Sequence, residues 1–253
     1  RVSVAFDGKE GDVGSNQPSI SADGRYVLFH SIATNLVPGD TNNSQDVFRK
    51  DCETGEMVRC SVSKTGEQAN GPSLSHAIGP SISHDGRYVI FHSTAANLVS
   101  GDTNGVYDAF YKDLVAGEII RYSVSASGEQ GNAESYSMAI SPSGRYLIFL
   151  SDASNIVSGD NNDSRDVFRY DLQTGFVLRI STAHDGSEGD GLSTSGALTS
   201  DGKKAAFSSQ ASNLVPGDTN GVSDVFVKDL SPPNITSVSP TAGVVGTEVT
   251  IKG

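Results

Sequence analysis

The chain has 253 residues, 18 Lys+Arg against 30 Asp+Glu for a formal charge of −12, no Trp, two Cys and 28 Gly. The acidic balance opposes binding to a phosphate backbone, no apolar run approaches the ~18–20 residues of a membrane span, and two cysteines are too few for a disulfide scaffold. With 36% hydrophobic and 19% charged residues the chain can bury a core, and its abundance of Gly, Ser, Asn and Asp marks a turn-rich β protein.

The chain opens at Arg1 without Met and without a charged-then-apolar leader, as a processed product or a fragment does. Residues 1–5 (RVSVA) read as one short strand. An alternating stretch around Ser19-Ile20-Ser21 enters a tight turn at Asp23-Gly24, and Arg25-Tyr26-Val27-Leu28-Phe29 leaves it as a second strand. A polar loop carries the string Asn-Leu-Val-Pro-Gly-Asp from Asn35. A strand over 46–51 (DVFRKD), a turn at Thr54-Gly55 and a strand from Arg59 follow. No window keeps a 3.6-residue apolar period for ten residues, so helices are few.

The same series then returns. The Asn-Leu/Ile-Val-Pro/Ser-Gly-Asp string starts at Asn35, Asn97, Asn155 and Asn213, at spacings of 62, 58 and 58. SADGRYVLF (21–29) recurs as SHDGRYVIF (83–91), SPSGRYLIF (141–149) and TSDGKKAAF (199–207). DVFRKD (46–51) recurs at 108–113, 166–171 and 224–229, and RCSVS (59–63) at 121–125, 179–183 and 1–5. A unit of four antiparallel strands repeated about every 58 residues predicts an all-β fold, a propeller of four four-stranded blades. The blades span about 6–63, 64–125, 126–183, and 184–230 plus 1–5. Residues 1–5 lack the three preceding strands and 195–230 lack a fourth. The prediction is therefore a ring closed by pairing 1–5 with 224–229, the rival being an arc that pairs with another copy or lacks further blades. Residues 231–253 add a Ser-Pro-Pro linker and a short β segment around Pro-Thr-Ala-Gly.

The Ser-x-Asp-Gly-Arg-Tyr-Val-x-Phe segments resemble the WD40-like repeat of the TolB type, found in bacterial propellers, over roughly residues 1–230. The Gly-Asp-Thr-Asn-x-x-x-Asp-Val-Phe motif is similar to a subgroup common in large secreted or surface bacterial proteins. The resemblance implies scaffolding or binding, and an extracellular or cell-surface location, with the periplasm as the alternative. Propellers of this type also cap serine peptidases, whose catalytic domain has no counterpart here. NITSVSPTAGVVGTEVTIKG (234–253) resembles the opening of an IPT/TIG immunoglobulin-like domain, about a quarter of one.

Antiparallel strands send the loops between second and third strands, and those between blades, to one face. That face collects Asp40, Asn42 and Asp46; Asp102, Asn104 and Asp108; Asp160, Asn162 and Asp166; Asp218, Asn220 and Asp224; and Asp12, Asn70, Asn132 and Asp190 between blades. Asp-x-Asn-x-x-x-Asp offers oxygens in the first half of the pattern of a calcium loop, without its Gly and terminal Glu, and Ca²⁺ takes ~6–8 oxygens. The same residues equally form Asx turns. The sequence leaves calcium and turn chemistry both open.

His30, His76, His84, His92 and His184 show no ligand spacing, and no Gly-x-Ser-x-Gly elbow or phosphate loop occurs. Cys52 and Cys60 sit on opposite faces of a hairpin and are expected as free, buried thiols. Arg59, Arg121, Arg179 and Arg1 are expected to pair with Asp51, Asp113, Asp171 and Asp229. The recurrent pairs Phe29/Phe48, Phe91/Phe110, Phe149/Phe168 and Phe207/Phe226 are expected to pack blade on blade. The functional expectation is a non-enzymatic, calcium-stabilised binding or scaffold propeller presenting an acidic face to a protein or glycan. The alternatives are a polysaccharide-acting enzyme with a site at the ring centre and a structural module of a filament or adhesin. Neither nucleic acid nor membrane insertion is expected.

Overall fold

A computed structural model describes residues 1–75, 81–231, 237–239 and 250–252. All regular structure among them is β, and no helix is long and apolar enough to cross a membrane. Three antiparallel meanders of four strands come first. They are β1 (Ser15–Ile20), β2 (Tyr26–Ser31), β3 (Asp46–Asp51) and β4 (Met57–Arg59); β5 (Ser73–Leu74), β6 (Tyr88–Ser93), β7 (Asp108–Asp113) and β8 (Ile119–Arg121); and β9 (Ser135–Ile140), β10 (Tyr146–Ser151), β11 (Asp166–Asp171) and β12 (Phe176–Arg179). The fourth sheet holds β13 (Ser193–Leu198), β14 (Lys204–Ser209) and β15 (Asp224–Asp229), and β16 (Ser237–Ser239) pairs with β17 (Thr250–Lys252) apart from it.

Each first hairpin is built by its own side chains. Ser21 Oγ donates to Asp23 Oδ1 at 2.5 Å, Asp23 Oδ1 accepts from the Arg25 amide at 3.0 Å, and Ser21 Oγ accepts from the Tyr26 amide at 2.9 Å. This Asx turn needs a residue at positive φ, supplied by Gly24 at +78°. In later blades the turn glycine has a second duty. A Cβ on Gly86 would collide with the Tyr26 ring, and one on Gly144 with Tyr88, so each turn is seated on the tyrosine of the blade before. Gly24, which follows no complete blade, has open space.

The core lies between sheets. Leu28, Val47 and Cys60 of the first blade pack with Val89, Phe91, Leu98 and Phe110 of the second. Ile90, Ala109 and Tyr122 pack in turn with Leu147, Phe149, Ile156 and Phe168 of the third. Within each sheet the two phenylalanines face each other across β2–β3 and its repeats, with centroids 5.9, 5.8, 5.1 and 5.7 Å apart. Stacking within a sheet and burial between sheets therefore go together.

Three expectations are revised. The pairing of residues 1–5 with β15 is not formed: the fourth sheet has three strands and Val225 and Val227 stand exposed on its edge. Asp51 is held by Arg25, not Arg59, with Arg25 Nη2 at 2.7 Å; Asp113 takes Arg87 and Asp171 takes Arg145. Asp229 accepts from the Ser231 amide, and Arg1 bridges Glu10. The reason is register: β4 pairs Arg59 with Phe48, three residues from Asp51 and only two from Asp46. Both cysteines are free, but only Cys60 is buried, its thiol pushed up to about 12 by desolvation, while Cys52 is exposed. His76 and the Pro-Thr-Ala-Gly stretch lie outside the described residues.

The long-loop face as candidate functional site

The antiparallel order places the loops after β2, β6, β10 and β14, and the connections between blades, on one face. Each loop is pinned by its leucine or isoleucine, with Leu36, Leu98, Ile156 and Leu214 buried. The asparagine before it reaches across to the inter-blade connection. Asn35 Nδ2 donates to Glu10 O at 2.7 Å and its Oδ1 accepts from the Asp12 amide at 3.0 Å. Asn97, Asn155 and Asn213 repeat both contacts, and Asp12, Asn70, Asn132 and Asp190 each accept from a loop amide in return.

The predicted oxygen cluster is assembled, around a guanidinium. In the first loop Arg59 Nη1 lies 3.1 Å from Asp40 Oδ1, 3.4 Å from Asp46 Oδ2 and 3.0 Å from Gln68 Oε1. Arg121 sits likewise with Asp102, Asp108 and Gln130, and Arg179 with Asp160, Asp166 and Glu188. The Asn42 amide nitrogen donates to Asp46 Oδ2 at 2.9 Å and to Ala69 O at 3.0 Å, while its oxygen accepts from the Ser44 amide. Asn104 and Asn162 repeat this bonding. Ser61 Oγ donates to Asp46 Oδ1 at 2.5 Å, and Ser123 and Ser181 do so to Asp108 and Asp166.

Calcium would need these oxygens turned inward on one point. Here each asparagine oxygen faces a backbone amide, Asp46, Asp108 and Asp166 are each saturated by Ser, Asn and Arg, and the cationic position belongs to arginine. In the three complete loops the donors fit the guanidinium and not a calcium ion. The fourth loop keeps the Asn220–Asp224 bond at 2.8 Å and has no arginine among the described residues, with Asp218 beside it. Burial raises Asp40, and it carries Asp102 and Asp160 to about 6; the neighbouring Asp46, Asp108 and Asp166 charges add to this and outweigh the nearby arginines.

Against this repetition one place stands out, where the second and third blades meet. His92, at the end of β6, lies edge-on to Tyr107 at 5.3 Å and to Tyr136 at 5.4 Å, and the two tyrosines are 5.8 Å apart. The Arg165 guanidinium covers the Tyr136 ring at 4.8 Å and is held by Asp152, with Nη2 to Oδ2 at 2.6 Å. The Tyr136 hydroxyl donates to Glu134, and burial together with that carboxylate pushes the phenol up to about 12. Tyr107 and Arg165 share the position of Gln45 and Ser223, Tyr136 has that of Asn16, Leu74 and Thr194, and His92 that of His30. Sequence reasoning missed this cluster because it followed what the repeats share; the signal lay in where they differ.

No protein-family model matches the chain. No curated protein matches it. Solved structures do. The chain is similar to putative TolB from Agrobacterium tumefaciens, with a TM-score of 0.51 and 18% identity over 88% of this chain and 65% of that one. It is similar to the tricorn protease at TM-score 0.52 and 14% identity, over 86% of this chain and 18% of that one. TolB from Acinetobacter baumannii aligns at TM-score 0.49 and 21% identity, over 94% and 43%. The fold is of the TolB-like β-propeller kind. The chain spans less than two thirds of the length of each of these structures. The immunoglobulin-like resemblance of the last stretch gains no support, since the neighbours are propeller proteins.

Proposed function

We propose that the chain is a non-enzymatic binding and scaffold propeller whose partner, a protein or a glycan, docks on the long-loop face at the junction of the second and third blades. The observation that carries this reading is the loss of repetition there. On a face otherwise copied blade by blade, Tyr107 and Arg165 stand where the first and fourth blades have Gln45 and Ser223, and Tyr136 stands where the other three have Asn16, Leu74 and Thr194, while His92 keeps the place of His30. Tyrosine and arginine are the residues that most often anchor protein interfaces, which favours the protein partner. Three of the four long loops are locked by buried arginines, the two that flank the junction among them, so this part of the face is a rigid platform, with little ordering cost on binding.

An enzymatic reading gains less. The carboxylates of the complete loops are copied blade by blade, Asp46, Asp108 and Asp166 are saturated, Glu134 is bonded to Tyr136, and Asp152 is paired with Arg165. No pair is set apart as a general acid and base. The test is to screen the chain on peptide and glycan arrays beside its Tyr107→Ala and Gln45→Ala variants. Binders retained by Gln45→Ala and lost by Tyr107→Ala support the proposal; binders that Tyr107→Ala leaves untouched contradict it.

A further inference from the structure

The junction of the second and third blades differs from the one before it in charge as well as in aromatic content. Between the first and second blades, the places that bear Tyr107, Glu134, Tyr136 and Asp152 hold Gln45, Pro72, Leu74 and Thr94, none of them charged. Hydrogen bonds fix this equivalence. The Ser135 amide donates to Tyr107 O as that of Ser73 does to Gln45 O, and the Asp152 amide donates to Glu134 O as that of Thr94 does to Pro72 O. Glu134, Asp152 and Arg165 therefore enter the face together at one junction. Their balance decides what the junction can receive.

Arg165 is already neutralised. Its Nε and Nη2 donate to the two oxygens of Asp152 at 2.9 and 2.6 Å, while its plane covers the Tyr136 ring at 4.8 Å. An acidic ligand would have to displace Asp152 to reach it. Glu134 is different: among the described residues its carboxylate meets the Tyr136 hydroxyl, a neutral donor, rather than a cation. The surroundings have the same sign. Tyr107 directly precedes Asp108 and Arg165 directly precedes Asp166, so the cluster stands beside the second and third arginine locks. The second sets Asp102 and Asp108 against Arg121, and the third sets Asp160, Asp166 and Glu188 against Arg179. Burial carries Asp102 and Asp160 only to about 6, so at about pH 7.5 both locks hold an excess of negative charge. Charge of one sign set in a poorly hydrated wall raises the local concentration of the opposite sign.

We propose that the junction receives a cationic side chain, arginine or lysine, carried on a basic segment of a protein partner. This rests on the docking site proposed above and adds the chemistry of what docks there. The guanidinium or ammonium group meets the Glu134 carboxylate and the tyrosine pair, Tyr107 and Tyr136, whose rings lie 5.8 Å apart. Aromatic faces attract cations electrostatically, and the protein sets the pattern itself, with Arg165 stacked on Tyr136 and paired with an acid. A neutral glycan would leave the excess negative charge unanswered. An acidic segment would be repelled by it, since like charges brought together across an interface are costly.

The test is an array of short peptides in matched sets that carry Arg, Gln or Glu at the same places. It is probed at about pH 7.5 with the full wild-type chain and with Tyr107→Ala, Glu134→Gln and Glu67→Gln. Glu134→Gln keeps an acceptor for the Tyr136 hydroxyl and removes only the charge. Glu67→Gln removes an equal charge from an exposed residue outside the junction. Arginine peptides are expected to bind best and to weaken as salt rises. Their affinity is expected to fall about tenfold with Tyr107→Ala, about threefold with Glu134→Gln, and to stay unchanged with Glu67→Gln. Equal losses from Glu67→Gln and Glu134→Gln would show a general attraction to an acidic surface and overturn the proposal. Absence of any arginine-selective binding overturns it too. Capture of Gln or Glu peptides that depends on Tyr107 overturns the cationic ligand and leaves the docking site standing, whereas binding that Tyr107→Ala leaves untouched overturns both.

Discussion

Arg121→Ala removes the guanidinium on which the second long loop closes. The side chain is 9% exposed, and Asp102 and Asp108, which it touches at 3.2 and 3.3 Å, are 4% and 0% exposed. Its loss also takes a donor from Gly101 O and one of two from Gln130 Oε1, which keeps the Thr103 amide. Removing one partner of a buried ion pair costs about 3–5 kcal/mol, because the other charge stays buried and uncompensated. The cost depends on pH with a definite sign. Asp102 already holds its proton to about 6, above its unfolded value, so the native state gains stability relative to the unfolded state as pH falls through that window. Without Arg121 the only favourable charge on that carboxyl is gone, its affinity for the proton increases, and the window extends upward. Urea unfolding of wild type and variant is expected to differ by the full amount at about pH 8 and by clearly less at about pH 5. A difference below about 1 kcal/mol at the higher pH, the scale of a surface pair, would refute the buried lock. A difference independent of pH would refute the account of Asp102.

Three further outcomes follow from the same geometry. Gly24→Ala and Gly144→Ala replace turn glycines at φ +78° and +77°; the first is expected to cost about 1–2 kcal/mol of backbone strain, the second a further ~1–3 kcal/mol from collision with Tyr88. Equal shifts in unfolding midpoint would count against the seating of each turn on the preceding blade. A thiol-specific disulfide reagent is expected to modify Cys52 quickly and Cys60 only on unfolding, since Cys60 is buried and its thiolate disfavoured; two rapid equivalents would contradict that burial. Calcium or a chelator is expected to leave the melting temperature unchanged, because arginine holds the cationic position of the complete loops; a rise with calcium would show that the aspartates accept a metal.

The fold was legible where it is written locally and repeated. Asp-Gly hairpins, the Asp-Val-Phe strand and the two phenylalanines per unit each specify one hairpin, and recurrence makes four sheets of them. The arginine partners were misread because proximity in sequence stands in poorly for register. Arg59 follows Asp51 closely along the chain, but β4 aligns it with Phe48. At about 3.3 Å per residue, that carries the side chain to the Asp46 end of the strand. Asp51, at the other end, meets Arg25 from the Asp-Gly turn. Closure was not legible, because it depends on the small rotation between blades summed over the array, which no local motif encodes. The tyrosine cluster was not legible for a different reason. His92, Tyr107, Tyr136 and Arg165 are far apart in sequence; His92 repeats His30, and each of the other three looks like noise within its repeat. Only the packing of the second blade against the third makes one site of them.

The most direct test of the central claim, that the repeated loops are scaffold and the divergent junction is the binding surface, is a paired affinity measurement. Any ligand captured by the chain is titrated against wild type, Tyr107→Ala, and Gln45→Ala at the equivalent position of the first blade. The account predicts a Kd weakened at least about tenfold, ~1.4 kcal/mol, by Tyr107→Ala and unchanged by Gln45→Ala. Equal effects of the two substitutions, or none from Tyr107→Ala, would contradict it.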